Sequence, residues 1–128
     1  LLGRTPLEKA LVESSNHQLT MNGIVAVAEG FRNSNPAFEG RAMTGPNGYA
    51  QIPALAERGL LRVDHLFQDL EAHFANSEFI IGDYFSVADI TAFTTMDFAR
   101  WIKKTIPEDC VNLQRWYDQV NARPSAKA

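Results

Sequence analysis

The sequence predicts an all-α fold, a bundle of at least four helices. Three observations carry that expectation. Two segments, Thr5-Pro6-Leu7-Glu8 and Ser86-Val87-Ala88-Asp89, read as capped helix starts. Apolar residues recur every three or four positions through most of the chain, above all from Ala56 to Phe74. Neither an internal repeat nor a strand–helix–strand rhythm is present. The short apolar link Glu78-Phe79-Ile80-Ile81 is too isolated to build a sheet.

The first helix starts at Thr5, with Pro6 at N1 and Glu8 at N3, and its pattern continues to about Arg32. Leu7, Leu11, Met21, Ile24, Val25, Ala28 and Phe31 fit helical spacing. The middle departs from it. Ser14, Ser15, Asn16, His17 and Gln18 are consecutive and polar, and Gly23 follows, a composition that suits a helix bordering a wet cleft.

Asn33 to Gln51 holds Pro36, Gly40, Gly45, Pro46 and Gly48 with little periodicity. A loop of that length in a compact domain is either functional or mobile. Its GPNG tetrapeptide (Gly45–Gly48) lacks the Gly-Lys-Ser/Thr and the preceding strand of a phosphate loop and reads as turn chemistry. A second long helix covers about Pro53 to Ala75. Ala56, Leu60, Val63, Phe67, Leu70 and Phe74 form its stripe, widened by Leu66. Gly82 is placed for a positive φ.

The next helix starts at Ser86. Its hydroxyl is set to accept the backbone N–H of Asp89 while the Asp89 carboxylate reaches back to the N–H of Ser86, satisfying two orphan donors. Phe85 and Ile90 take the staple positions on either side. That helix runs to about Lys104, with Ile90, Phe93, Phe98, Trp101 and Ile102 apolar, and Pro107 blocks its continuation. The last helix covers about Cys110 to Ala122, with Leu113, Trp116, Tyr117 and Val120 on one face, and Arg123-Pro124-Ser125 stops it.

With 128 residues, 45% of them hydrophobic and 21% charged, the chain fits one globular domain. The formal net charge is -3 and the Lys and Arg residues are scattered, so no nucleic-acid footprint is indicated. No apolar run approaches the ~20 residues of a membrane span. A single cysteine, Cys110, excludes an intrachain disulfide and suits a reducing compartment. The start LLGRTPLEK lacks the apolar core of a signal peptide, and it lacks an initiator Met, so the chain reads as cut from something longer.

Composition and spacing yield no complete catalytic apparatus. His65 and His73 lie two helical turns apart, His17 is remote in sequence, and no HExxH pattern exists, so a metal site is not indicated. Cys110 stands near a helix start, where the dipole favours a thiolate, but no histidine neighbours it in sequence, and a packed thiol is the plainer reading. Ser14 and Ser15 beside His17 do not face one another on a helix, which leaves groove lining or simple solvent exposure. Trp101, Trp116 and Tyr117, at helical spacing among aliphatic residues, read as core rather than as a base-stacking platform.

Three segments together carry a resemblance: FIIGDYFSVADIT (79–91), LQRWYDQVNARPSAKA (113–128) and GRTPLEKA (3–10). The first resembles the hydrophobic-Gly-Asp/Asn-x-hydrophobic-Ser-x-Ala-Asp segment that opens the central buried helix of the C-terminal domain in cytosolic glutathione S-transferases. The second resembles the Trp-x-x-x-hydrophobic-x-x-Arg-Pro segment that closes it. The TPLEK start is similar to the theta-like yeast and bacterial branch, and the likeness covers essentially the whole chain. It implies a glutathione S-transferase C-terminal-like helical bundle over residues 1–128. Ser86 and Asp89 then match the family's structural capping box, with Ile90 as its buried follower.

The resemblance also implies partners. A family member has an N-terminal thioredoxin-like domain that binds glutathione and usually supplies the Ser, Tyr or Cys that lowers the thiol's pKa. This chain contains no such domain, so its own catalytic residues are none. Glutathione enters as co-substrate, and neither a cofactor nor a metal is implied. What remains is the co-substrate side of the cleft and part of a homodimer interface. By family position, Asn22 falls at a glutathione contact, and Val25, Ala28, Phe31 and Arg32 at the hydrophobic-substrate site. Some theta-like relatives place a hydroxyl around position 28, where this chain has Ala. Arg32 either attracts an anionic carboxylate or is a solvated helix-end arginine. The implied function is conjugation of glutathione to small hydrophobic electrophiles, a cytoplasmic detoxification role. A non-catalytic binding or regulatory module and a glutathione-dependent isomerase or dehalogenase are the alternatives.

Overall fold

Thr5 opens the first helix as its sequence requires. Its hydroxyl accepts the N–H of Glu8 at 3.2 Å, and the Glu8 carboxylate takes the N–H of Thr5 at 3.2 Å. The computed structural model describes residues 1–127. It places α1 at Pro6–Leu19, α2 at Val25–Ser34, α3 at Pro53–Phe74, α4 at Val87–Ala99 and α5 at Val111–Asn121. Only isolated bridges, at Arg41–Tyr49 and Phe79–Gly82, interrupt the helical architecture among the described residues.

The single helix expected from Pro6 to Arg32 is two helices joined by a π turn, Thr20–Ile24. The reason lies across the bundle. A Cβ on Gly23 would stand 2.8 Å from both Oγ1 and Cγ2 of Thr95, so the backbone of this turn lies directly on α4. Widening one turn re-aims the helix over that contact. Nearby, the Thr91 hydroxyl is 2.5 Å from Asn16 Oδ1, tying α1 to α4 and turning Asn16 inward.

The apolar stripe expected on this first helix is corrected. Leu7, Leu11, Met21 and Val25 are exposed, Leu7 at 70%. Val12, Leu19, Ala26 and Val27 are buried instead. Helical spacing alone does not say which of two apolar strips faces the domain's own core.

α3 follows its stripe. Ala56, Val63, Leu66, Phe67, Leu70 and Phe74 are all buried. Its contact with α2 is set by glycine: a Cβ on Gly59 would lie 2.5 Å from Gly30 N and 2.7 Å from Ala26 O. On the rim of that contact, Glu29 accepts from both Arg58 and Arg62. The Arg58 hydrogen bond, followed by the Arg62 bond, holds the Glu29 carboxyl below its ordinary range.

α4 runs through the centre and buries its small side: Ala88, Asp89, Ala92, Thr95, Met96 and Ala99. Two sequence expectations fail on this helix and the 3-10 turn that follows it. Ile90, expected as a buried follower of the cap, is 41% exposed, and Trp101, expected in the core, is 67% exposed. The large side chains look outward because the small ones let neighbouring helices approach. The helix also ends earlier than Pro107 alone predicts. A 3-10 turn covers Arg100–Ile102, and Lys103 adopts φ 60, a left-handed stop. The N–H of Lys104 then donates to Ala99 O at 2.9 Å. Because a side chain raises the energy of that conformation, Lys103→Gly is expected to stabilise the protein by roughly 0.5–1 kcal/mol. A raised thermal midpoint in differential scanning calorimetry checks it, and a lowered one refutes it.

α5 has no capping side chain of its own; Cys110 at its N-cap makes no side-chain cap bond. Glu71 of α3 substitutes, accepting the N–H groups of Asn112 at 3.3 Å and Leu113 at 2.8 Å. The backbone bond from Leu113 is the main reason its carboxyl is held below the usual glutamate range. Trp116 stacks on Phe74 at 4.7 Å, and Tyr117 on Phe93 at 4.9 Å.

Candidate functional site

α2 presents one face to α3 and turns another toward the C-terminal end of α4. Between them lies an open cleft of about 180 Å³. Ile24, Val27, Ala28, Phe31 and Arg32 form one side, Phe98 and Trp101 another, and Phe38 closes the third. Its aromatic rings meet edge to face: Phe31 lies 5.2 Å from Phe38 and 5.4 Å from Trp101, at steep interplanar angles. Phe98 lies 6.2 Å from Trp101. Such edge-to-face packing fixes the rings against one another.

Phe38 reaches the cleft because the excursion from Asn33 to Gln51 is tied down. Pro36–Phe38 forms a 3-10 turn, opened by Asn35 Oδ1 accepting the N–H of Ala37 at 3.0 Å. Gln51 Nε2 donates to Arg32 O at 2.8 Å and to Asn35 O at 2.7 Å. The N–H of Ile52 donates to Asn33 Oδ1 at 3.0 Å. Arg32 donates through Nε to Ala42 O at 3.0 Å and through Nη2 to Arg41 O at 2.6 Å. Its guanidinium also lies over the Phe38 ring, 4.4 Å from the centroid. The GPNG stretch bends the chain, with Gly45 at φ 117.

The residues singled out from the sequence are distributed over two grooves. Ala28, Phe31 and Arg32 line the apolar cleft; Val25, 38% exposed, does not. Asn22 is exposed and borders a separate polar groove between α1 and α3, with Ser15, Gln18, Asp69 and His73. The two grooves have no lining residue in common. Sequence reasoning missed Ile24, Val27, Phe38, Phe98 and Trp101 as cleft residues. A signal for the last two was present: they stand one helical turn apart, off the small-residue face of α4.

Other chemistry-bearing side chains are occupied structurally. Asp89 is fully buried, and its carboxylate accepts four hydrogen bonds: from Ile80 N at 3.0 Å, Ser86 N at 2.9 Å, Ser86 Oγ at 3.1 Å and Trp116 Nε1 at 3.0 Å. The capping box is thus closed, with Ser86 Oγ also accepting the N–H of Ala88 at 3.2 Å. Ser86 and Asp89 hold the link, α4 and α5 together and touch no cleft. Cys110 is buried; burial pushes its thiol up, and the Asp109 and Glu71 carboxylates push it further, the opposite of an activated thiol. Tyr117 donates to Asp97 at 2.7 Å and accepts from Arg100 at 2.8 Å. Burial and the Asp97 bond push its phenol up to about 12. His73 pairs with Phe79 O at 3.1 Å. No group of three or more His, Cys, Asp or Glu gathers in metal-binding geometry among the described residues.

A bundle of this topology, with an apolar cleft beside α2 and a capped central helix at Ser86–Asp89, defines a class. The family profile described as glutathione S-transferase, C-terminal domain, matches residues 37–124. The chain belongs to that family, in its yeast and bacterial Gtt2-like branch. It is 30% identical over 130 residues to glutathione S-transferase 2 of Saccharomyces cerevisiae, covering 99% of this chain and 52% of that protein. The crystal structure of Gtt2 from the same yeast superposes with a TM-score of 0.87 at 27% identity, over 99% of this chain and 59% of the other. A glutathione S-transferase class Gtt2 of Vibrio parahaemolyticus gives a TM-score of 0.80 at 29% identity, over 100% and 55%. The chain therefore spans about half the length of the relatives it matches.

Proposed function

We propose that this chain is the co-substrate-binding and dimerisation domain of a glutathione S-transferase that conjugates glutathione to small hydrophobic electrophiles. The observation that carries the reading is the cleft beside α2: three phenylalanines and an exposed tryptophan around an opening of about 180 Å³. A partly open, mainly apolar recess suits a small apolar molecule. In this reading Ala28 and Phe31 contact the electrophile, and Arg32 stands at the cleft's rim. Asn22, exposed among polar neighbours, meets glutathione. The matched relatives carry transferase names and are nearly twice as long, which fits a thioredoxin-like domain preceding this one and supplying the thiol-activating residue.

Exposed apolar side chains support the same reading. Leu1, Leu2, Leu7, Leu11 and Met21 are all outside this domain's core. Surfaces of that kind mark faces that other domains or copies cover, here the glutathione-binding domain and a second subunit. Among the described residues no helix is long and apolar enough to cross a membrane. A cytoplasmic detoxification enzyme is the proposed setting. In a glutathione conjugation assay with a chlorodinitrobenzene-type electrophile, the full-length natural chain carrying this sequence is expected to turn over, and residues 1–128 alone to be inactive. Turnover by the 128-residue piece above the uncatalysed rate refutes the division of labour. Failure of the full-length chain on every apolar electrophile tried refutes the transferase reading.

A further inference from the structure

Arg32 is the one charged residue among the cleft's lining side chains. Two of its three nitrogens donate to backbone. Nε and Nη2 bond two consecutive backbone carbonyls, Ala42 and Arg41, at 3.0 and 2.6 Å. The guanidinium plane covers Phe38 at 4.4 Å. All three contacts go to one excursion of the chain, and that excursion brings Phe38 to the cleft. Gln51 fastens the far end of the same excursion, donating to Arg32 O and Asn35 O. Gln51 is not a cleft residue. Ala42, which Arg32 holds, is the buried point of an otherwise exposed stretch from Glu39 to Ala50.

We propose that Arg32 is a positioning residue: it and Gln51 clamp the 36–51 excursion so that Phe38 forms the outer wall of the apolar cleft, and that wall selects flat apolar ligands. The charge of Arg32 serves the excursion's carbonyls and the Phe38 ring, so neutral and anionic ligands depend on it alike. The cation–π contact adds attraction between guanidinium and ring, and charge-assisted bonds to carbonyls are stronger than neutral ones. Together these fix the register of a glycine-rich segment that has little packing of its own. This inference rests on the cleft being a binding site, and the experiment separates the two claims.

In the full-length natural chain, two fluorescent probes are titrated: neutral N-phenyl-1-naphthylamine and anionic 8-anilinonaphthalene-1-sulfonate. The variants are Arg32→Ala, Gln51→Ala, Phe38→Ala and the Arg32→Ala/Phe38→Ala double. Loss of one aromatic wall is expected to weaken both probes by about three- to tenfold in every single variant. The double is expected to be within about twofold of Phe38→Ala, because residues acting through one another are not additive. Tryptic cleavage after Arg41 is expected to quicken in Gln51→Ala. If Arg32→Ala weakens only the anionic probe, or its loss multiplies with that of Phe38→Ala, the positioning role is overturned. Unchanged probe affinity in Gln51→Ala overturns it as well, and that variant decides the matter if Arg32→Ala does not fold. If the unmodified protein binds neither probe, the cleft reading fails, and the inference fails with it.

Discussion

Asp89→Ala is expected to cost about 3–5 kcal/mol of stability, because each buried donor left without a partner costs roughly 1–3 kcal/mol. The carboxylate is fully buried and accepts from Ile80 N, Ser86 N, Ser86 Oγ and Trp116 Nε1. Alanine orphans the donors and leaves a void where the link, α4 and α5 meet. Asp89→Asn is a sharper control. Its amide oxygen can still accept from Ile80 and Trp116. Its NH2 would face the N–H of Ser86, 2.9 Å from the present oxygen, so a donor meets a donor. Asn is therefore expected to destabilise, but less than Ala. Guanidinium unfolding followed by tryptophan fluorescence reads both, with the midpoint falling and the slope unchanged. A midpoint equal to that of the unmodified protein for Asp89→Ala is incompatible with the network described. With a domain of this size stabilised by only about 5–15 kcal/mol, the alanine variant stands near the edge of folding.

The cap at Ser86 was legible because its parts are local. Three residues along the chain suffice to place a hydroxyl and a carboxylate around one helix start. The wider role of Asp89 was not. Trp116 is 27 residues away, and nothing in its spacing says that its indole N–H turns toward α4. The α3 stripe was legible because one face of a long helix meets one core. The stripe on the first helix misled, since Leu7, Leu11 and Met21 are apolar for surfaces other than this domain's core, where Val12, Leu19, Ala26 and Val27 serve instead. On α4 the error had a different cause. Hydropathy weights large side chains, whereas a central helix packs closely through small ones, here Ala88, Ala92, Thr95 and Ala99.

The site divides in the same way. Ala28, Phe31 and Arg32 were singled out through a family resemblance, and they stand along one apolar cleft, while Val25 does not. Phe38 was hidden in a segment without periodicity. Its position depends on Arg32, Gln51 and Asn33 bonding the excursion to the end of α2, contacts spanning up to 19 residues. Turn-rich text announces that the chain leaves the helix, not where it returns.

Gly59→Ala is the second substitution expected to act strongly. Glycine inside a helix is read from sequence as a weak point, since it costs roughly 1 kcal/mol against alanine in an exposed helix. Here propensity and packing oppose one another, and magnitudes decide. An added Cβ would lie 2.5 Å from Gly30 N, 2.7 Å from Ala26 O and 2.9 Å from Gly30 Cα. Every one of these is backbone, so no side chain can rotate away. α2 and α3 would have to separate along the contact where Gly59 meets Ala26 and Gly30. Overpacking of this kind typically costs about 1–3 kcal/mol and more where backbone must shift. The helix-propensity gain offsets part of it, leaving a net loss of about 1–3 kcal/mol. The consequence extends to function, because α2 also carries Ala28, Phe31 and Arg32 along the cleft. Gly59→Ala is therefore expected to lower the thermal midpoint and to weaken binding of a neutral apolar probe together. The neighbouring exposed change Arg58→Ala serves as the comparison, since its pairing with Glu29 lies at the rim. A Gly59→Ala protein as stable as the parent, with the same probe affinity, would show that the α2–α3 contact is looser than these distances require.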